Sequence, residues 1–270
     1  VNIGGASTTT PATFGAGDWS KVYATGYVDL KGDGQNASKF YGIKGLSSDV
    51  ASLVNAETGL NFIISSGAVE VKNIYGETGG KGVVKSGATL TADSVSLSIN
   101  TSKIIAPTIQ IDQDGRLNLQ SSIEAFGGKN YVVFKGKGTL SVPKNIAEKL
   151  TETALYAFLD NLGTLEIDTS TGDNTVVLYD NRDNQDISSS IDKLVFKGDN
   201  AGTLQLCDKL IVRGADFGTN GKVHLITGST LYFDVNGTLP ANIIGTGTLG
   251  LLNSSKLELS DAAVGNLTLE

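Results

Sequence analysis

The sequence has one cysteine, one histidine and no methionine among its 270 residues. The single Cys207 excludes an internal disulfide and every metal site built from several cysteines. We expect Cys207 to be a small apolar side chain in a strand over 204–207. His224 lies in the alternating stretch 222–226 and is predicted to be a surface strand residue, because one histidine cannot build a histidine-based metal site. The sequence therefore predicts no cofactor and no metal site.

Long apolar runs and an excess of positive charge are also missing. No stretch approaches the ~20 apolar residues of a membrane-spanning helix, so we expect no membrane insertion by this segment, and residues 1–14 do not resemble a signal peptide. The chain has 28 acidic and 21 basic residues, a net charge of −7, with no basic block. Nucleic acid is therefore not an expected partner, because phosphate-binding surfaces cluster lysine and arginine.

What the sequence has in excess is glycine, with 34 residues of 270 against a usual share of about 7%. Many of these glycines open a repeated unit, in which a small or polar residue, an aliphatic residue, any residue and a second aliphatic residue follow. The copies are GAVEV at 67–71, GRLNL at 115–119, GTLSV at 138–142, GTLEI at 163–167, GTLQL at 202–206, GTLGL at 247–251 and GNLTL at 265–269.

The repeated unit is typical of a short, half-buried strand that follows a corner. Its two aliphatic residues fall on one face of a strand, and glycine supplies the backbone conformations that a corner requires. Further short strands lie between the copies and leave no room for crossover helices. Hairpins of a sandwich or an up-and-down barrel do not explain a unit led by glycine, whereas stacked coils do. The expected fold class is all-β, a right-handed parallel β-helix (β-solenoid).

The solenoid is expected to occupy residues 46–270, with an N-terminal cap over 1–45, where no clean copy of the repeat occurs. Two segments interrupt the pattern. Residues from about 144 to 160 have apolar residues at helical spacing, with Pro143 near the start, and predict one inserted short helix. Residues from about 180 to 190 predict a polar loop. The apolar pattern continues to the last residues and predicts that the chain is a piece of a longer protein.

Stacking predicts which polar side chains could meet across neighbouring coils. The middle residues of the strands are expected to point outward, and no two neighbouring levels place acids together as a glycan-cleaving site would require. These residues are Glu70, Asn118, Ser141, Glu166, Gln205, Gly250, Glu258 and Thr268. We therefore predict no catalytic, cofactor-binding or metal-binding residue and no enzymatic activity.

The acidic stretch 180–186 offers oxygen ligands of the kind that calcium takes. It lacks the glycine and the terminal glutamate of a helix–loop–helix calcium site, and Arg182 lies among its acids. We therefore interpret it as a solvated loop.

The units at 138–142, 202–206 and 244–251 resemble the passenger regions of bacterial autotransporters and related large surface adhesins, including the rickettsial surface-antigen type. The resemblance lies in composition, which is poor in cysteine and rich in glycine, threonine, asparagine and leucine, and it covers residues 59–270. It implies an extracellular location on a bacterial cell surface, with a C-terminal outer-membrane barrel in cis. The implied partner is a host-cell surface receptor, or another copy of the chain through self-association. Two alternatives remain open, a surface-layer or other self-assembling structural protein and a polysaccharide-degrading β-helix enzyme.

Overall fold

The structure of the chain is a computed structural model. It describes residues 2–4, 13–14, 28–31, 38–44, 61–77, 80–98, 106–125, 131–144, 152–180, 182, 187–235, 242–253 and 266–269. Within these residues all regular structure is β-strand, which confirms the predicted all-β class. The chain divides into two compact units, Val1–Leu140 and Ser141–Glu270.

The strands are short and follow one another closely along the chain. They are β1 (Asn2–Gly4), β2 (Thr13–Phe14), β3 (Val28–Lys31), β4 (Ser38–Lys44), β5 (Asn61–Ser66), β6 (Ala68–Glu77), β7 (Lys81–Val84), β8 (Thr89–Ser98), β9 (Thr108–Ile111), β10 (Arg116–Leu119), β11 (Ile123–Ala125), β12 (Val132–Lys135), β13 (Thr139–Pro143), β14 (Thr153–Asp160), β15 (Leu162–Asp168), β16 (Asn174–Tyr179), β17 (Ser189–Lys197), β18 (Gly202–Leu206), β19 (Lys209–Val212), β20 (Ala215–Asp216), β21 (Gly221–Leu225), β22 (Thr230–Phe233), β23 (Ile243–Gly245), β24 (Thr248–Leu251) and β25 (Asn266–Leu269).

In the first unit, consecutive strands alternate between two parallel sheets. One sheet has the order β1, β3, β5, β7, β9, β12, and the other has the order β2, β4, β6, β8, β10, with β11 also paired to β8. Each strand pairs in parallel with the strand one coil earlier. For example, β7 pairs with β5, and Gly82 of β7 lies beside Phe62 of β5. A chain that returns to the same sheet one level further on is winding as a solenoid, so the predicted parallel β-helix is confirmed.

The second unit winds in the same way. One sheet, here called the β14 sheet, has the order β14, β16, β18, β21, β23. The other, the β15 sheet, has the order β15, β17, β19, β22, β24, β25, with β20 also paired to β17. The register is regular, since Leu204 of β18 lies beside Val223 of β21 and Leu206 lies beside Leu225. The right-handed sense of the coil stays a prediction.

The aliphatic positions of the repeated unit form the core of each coil. In β18, Leu204 and Leu206 are fully buried, and Gln205 between them is half-buried. Burying a leucine side chain contributes roughly 1.5–3 kcal/mol. The same pair of buried positions recurs at successive levels, which is the stacking that the repeat predicts.

The helix predicted over 144–160 is wrong for its described second half. Residues 153–160 form strand β14, which pairs in parallel with β16. The helical interpretation failed because Ala154, Tyr156 and Phe158, on the outer face of the strand, are apolar like the core residues between them. The alternation of polar and apolar residues that identifies a strand is therefore missing from the sequence. Residues 145–151 lie outside the described residues.

The other two predicted segments are described only in part. Between β16 and β17, where the polar loop over 180–190 was predicted, the structure describes Asp180, Arg182, Ile187 and Ser188. Strands β1 to β4 of the 1–45 segment pair in parallel within the two sheets. The rest of that segment lies outside the described residues, and the cap stays a prediction.

Candidate functional site

The outer face of the β14 sheet carries an aromatic pair. In β14 the odd-numbered residues are buried and the even-numbered residues are half-buried, so Tyr156 and Phe158 project from the outer face. Parallel register places Tyr156 beside Tyr179 of β16. Their rings are stacked, with centroids 4.8 Å apart and planes 14° from parallel. This separation matches the spacing of neighbouring strands, so the coil itself sets the stacking.

Arg182 covers the neighbouring Phe158 ring. The guanidinium carbon lies 3.5 Å from the ring centroid, a cation–π contact. The same guanidinium donates to both carboxylate oxygens of Asp180, with Nε to Oδ1 at 2.7 Å and Nη2 to Oδ2 at 2.6 Å. It also donates to the main-chain carbonyl of Ile187. We call Tyr156, Phe158, Tyr179 and Arg182 the aromatic patch.

The ion pair between Asp180 and Arg182 of the aromatic patch is buried. The Arg182 side chain is 10% exposed and that of Asp180 is 5% exposed. The amide of Asp180 donates to the Asp208 carboxylate, with N to Oδ2 at 2.8 Å. Both groups are thus taken out of water with their polar atoms engaged, the condition under which a buried ion pair is tolerated.

Val177 shows how closely the outer side chains pack beside the patch. Its register partners are Ala154 in β14 and Gln205 in β18, both half-buried on the outer face. Val177 itself is completely buried, although it lies between the core residues Val176 and Leu178 in sequence. The β14 sheet therefore has a packed side-chain layer on its outer side as well as in the core.

Cys207 and His224 both lie on this face. Cys207 directly follows β18 and is half-buried beside Tyr179, so it points outward rather than into the core. His224 lies in β21, paired with Gln205, and is half-buried, as expected of a surface strand residue.

The surroundings of Tyr179 favour the neutral form of its hydroxyl. Burial raises the pKa of the Tyr179 hydroxyl, and Cys207 raises it further. The Tyr156 hydroxyl and the Glu152 carboxylate act in the same direction. The phenol of Tyr179 is therefore neutral at physiological pH.

Burial also raises the pKa of the Cys207 thiol, and the negative charge of Asp208 adds to this effect. Hydrogen bonds with Gln205 and Tyr179 lower it by less, so the net pKa is above the ordinary value. The thiolate is the reactive form of cysteine. The surroundings of Cys207 thus favour an unreactive thiol.

We expect native Cys207 to be alkylated more slowly by iodoacetamide at pH 7.5 than the same residue in urea-unfolded chain. The rate in the native chain should still be rising above pH 9, because the raised pKa delays thiolate formation. Mass spectrometry of quenched time points measures both rates. A native rate that levels off below pH 8 would contradict the assignment.

A second polar cluster lies on the outer side of the β15 sheet. The Ser141 hydroxyl donates to Glu166 Oε1 at 2.9 Å, and both side chains are buried. Lys197 Nζ lies 3.7 Å from Glu166 Oε1 and 3.2 Å from Asp168 Oδ2. Ser141 and Glu166 lie on the outer side of the sheet, where the middle residues of the repeat were predicted, but both side chains are covered there. Gly250 is also buried, and its Cα lies under the Tyr232 ring.

Asp168 is held in its charged form by this cluster. Burial raises the pKa of its carboxyl, but hydrogen bonds from Ser170 and the ammonium of Lys197 outweigh that effect, and the net pKa is lowered. A carboxyl whose pKa is lower in the folded chain adds stability above its unfolded pKa of about 3.9. That stability is lost as the pH falls through the folded pKa.

Replacing Asp168 with asparagine should therefore lower the free energy of unfolding at pH 7 and have no effect near pH 2. We expect at most about 1 kcal/mol, because Lys197 is 51% exposed and such ion pairs are screened. Urea unfolding across this pH range measures the difference, with Asp199→Asn on the exposed surface as control. A difference that persists undiminished at pH 2 would contradict the ion-pair account.

The first carboxylate of the acidic stretch, that of Asp180, is occupied by an arginine and is not presented to a metal ion. Asp180 was predicted to lie in a solvated loop, whereas its side chain is buried and both its oxygens accept from Arg182. Among the described residues, no group of three or more His, Cys, Asp or Glu side chains is arranged to hold a metal ion. In the same residues there is no helix long and apolar enough to cross a membrane.

The aromatic patch combines a stacked ring pair, a cation–π contact and a buried ion pair, and sequence reasoning missed it. Tyr156 was assigned to a helix, and Arg182 was noted only as an interruption among acids. The available signal was the separation of Tyr156 and Tyr179 by 23 residues, close to one coil. No protein-family model, curated protein sequence or solved structure matches this chain.

Proposed function

We propose that this chain is a non-enzymatic binding protein displayed on a bacterial cell surface, where its β-solenoid mediates adhesion. The observation that carries the proposal is the aromatic patch. Tyrosine and arginine are enriched at protein–protein contacts and dominate their energetics. Here two tyrosines, a phenylalanine and an arginine are held by the coil on one outer face.

The neighbourhood of the patch supports a contact role. The main chain of Ile187 accepts a hydrogen bond from Arg182, and the side chain of Ile187 is 68% exposed. It is the large hydrophobic residue that stands out as exposed in the described part of the chain. An exposed aliphatic side chain next to half-buried aromatic rings is a typical composition for an interaction surface.

The acidic side chains that are clustered in the second unit form ion pairs with basic residues of the solenoid. Glu166 and Asp168 lie against Lys197, and Asp180 lies against Arg182. Their partners come from a neighbouring coil or from the adjoining loop. This use of carboxylates favours a structural role over acid–base catalysis and supports a binding function.

Adhesion is tested with the purified chain coupled to fluorescent beads and counted on cultured epithelial cells. We expect the variant Tyr156→Ala/Tyr179→Ala to reduce bead attachment about tenfold or more, since tyrosines are enriched among the contact residues whose truncation costs about 2 kcal/mol or more. Tyr232→Ala is the matched control, because Tyr232 is half-buried on the outer side of the β15 sheet. Wild-type beads that attach no better than albumin-coated beads would contradict adhesion.

Surface display is tested separately in the source bacterium. Brief treatment of intact cells with proteinase K should remove the chain from an immunoblot, while a cytoplasmic marker protein is preserved. A chain that is digested only after lysis would contradict display on the surface.

A further inference from the structure

The two tyrosines of the aromatic patch have a geometry that suits covalent coupling. Tyr156 and Tyr179 are register partners on the parallel strands β14 and β16, and both side chains are half-buried on the outer face. The ring centroids are 4.8 Å apart, with the planes 14° from parallel. This distance is also the spacing of neighbouring strands, so the two side chains have the same orientation. Equivalent atoms of the two rings therefore lie beside each other.

Stacked phenol rings are arranged for radical coupling. One-electron oxidation of a tyrosine removes an electron and the hydroxyl proton and leaves a neutral radical. The unpaired electron is shared with the ring carbons ortho to the oxygen, in orbitals that project from the ring faces. Two facing radicals pair these electrons in a new carbon–carbon bond. Each bonded ortho carbon then loses its proton while its oxygen gains one, which restores two aromatic phenols.

We propose that Tyr156 and Tyr179 are a modification site, at which oxidation by a haem peroxidase and hydrogen peroxide joins neighbouring coils through dityrosine. The coupled pair loses two electrons and two protons in total, and hydrogen peroxide accepts them to become two molecules of water. The bond links positions 23 residues apart in sequence. A chain with one cysteine has no internal disulfide, and this cross-link connects its coils by other chemistry. The cross-link does not require that the chain be an adhesin.

The register of the coils makes the site selective. Tyr232, on the outer side of the β15 sheet, has Ile211 and Gly250 as its register partners. No tyrosine therefore lies beside it on either adjacent strand. Within the described residues, Tyr156 and Tyr179 are the pair of tyrosines whose rings are stacked.

Cys207 offers the competing reactions at this site. It is half-buried and hydrogen-bonded to the hydroxyl of Tyr179. Transfer of a hydrogen atom from its thiol returns a Tyr179 radical to the phenol, and coupling of that radical to the sulfur gives a thioether. The variant Cys207→Ser removes both reactions. We therefore expect this variant to form at least as much dityrosine as the wild-type chain.

The test oxidises the full chain with a haem peroxidase and hydrogen peroxide at low protein concentration. The monomer recovered from a denaturing gel is digested with trypsin and then with a glutamate-specific protease, which cuts between the two tyrosines at Glu166. We expect mass spectrometry to find the peptides of Tyr156 and Tyr179 joined, with a mass two hydrogen atoms below their sum. The joined fraction of monomer should not change on dilution, because the reaction is intramolecular.

Phenylalanine variants are the matched controls. Tyr156→Phe and Tyr179→Phe each keep a ring in the stack but remove the hydroxyl, so each should abolish the joined peptides. Tyr232→Phe should leave their yield unchanged. Unchanged circular dichroism before oxidation confirms that the variants are folded. The oxidised wild-type monomer should also unfold at a higher urea concentration than oxidised Tyr156→Phe, because a cross-link constrains the unfolded chain.

Other results would overturn the assignment. Joined peptides that persist in Tyr156→Phe would show that a different tyrosine is the partner. A Tyr179 peptide joined to the peptide of Cys207 would show a thioether in place of dityrosine. Cross-links found in dimers and not in monomers would show coupling between copies of the chain. Each of these results leaves the bead assay, and with it the adhesion proposal, unaffected.

Discussion

Replacing Arg182 with alanine is expected to lower the free energy of unfolding by about 3 kcal/mol, because it removes the guanidinium that neutralises the buried Asp180 carboxylate. Asp180 is 5% exposed, and both its oxygens accept from Arg182. The substitution also removes the cation from the Phe158 ring. Urea unfolding followed by circular dichroism at pH 7 measures the change.

Arg213→Ala is the matched control for this prediction. Arg213 also has two acidic neighbours, with Nη1 3.5 Å from Asp192 and Nε 3.8 Å from Asp234, but its side chain is 36% exposed. Its loss should cost less than about 1 kcal/mol, as for other exposed ion pairs. If the two arginine variants lose equal stability, the burial of the Asp180 pair is not what makes it important.

Replacing Gly136 with alanine is expected to cost about 3 kcal/mol or more. Gly136 lies between β12 and β13 with φ at +96°, and a Cβ there would lie 2.2 Å from the main-chain oxygen of Ile111. Ile111 ends β9, the strand one coil earlier. The left-handed backbone conformation contributes about 1–2 kcal/mol of this cost. The collision with a main-chain atom contributes the rest, because neither coil can move aside without breaking its pairing.

Gly87→Ala separates the two contributions. Gly87 has φ at +72°, and a Cβ there would meet nothing within 4 Å. This variant should lose only the conformational part, about 1–2 kcal/mol. The midpoints of urea unfolding of both variants provide the comparison. Equal losses would contradict the close approach of neighbouring coils at Gly136.

The sequence was sufficient to predict the winding of the chain, because the same pair of core positions recurs after each glycine. Leu204 and Leu206 illustrate this, since they stack on Val223 and Leu225 as the repeat requires. A repeated pattern of buried residues has few solutions other than stacked coils. The strands of the solenoid were thus accessible without any structure.

The outer face was not accessible in the same way. An alternation with a period of two residues identifies a strand only when the residues on its outer face are polar. The outer face of β14 instead has Ala154, Tyr156 and Phe158. Good helix formers in the same stretch then favoured the wrong element, and the pairing with β16 overrode that propensity. Burial of Ser141 and Glu166 was missed for a related reason, since it depends on what packs outside the coil.

The candidate site depends on contacts that no local pattern encodes. Arg182 reaches Phe158 across 24 positions of sequence, and Asp180 receives support from Asp208 one coil later. Only the register of the coils brings these residues together. The aromatic patch is therefore a consequence of the parallel pairing of β14 with β16.

Parallel register is tested most directly by electron paramagnetic resonance of pairs of spin labels in a chain carrying Cys207→Ser. Thr203 is paired with Lys222 and Gln205 with His224, so both pairs are 19 residues apart on adjacent strands. The parallel solenoid predicts strong dipolar broadening for labels at 203/222 and at 205/224, and weaker broadening for labels at 205/220. Strong broadening at 203/222 and 205/220 with little at 205/224 would indicate an antiparallel hairpin and contradict the stacked coils.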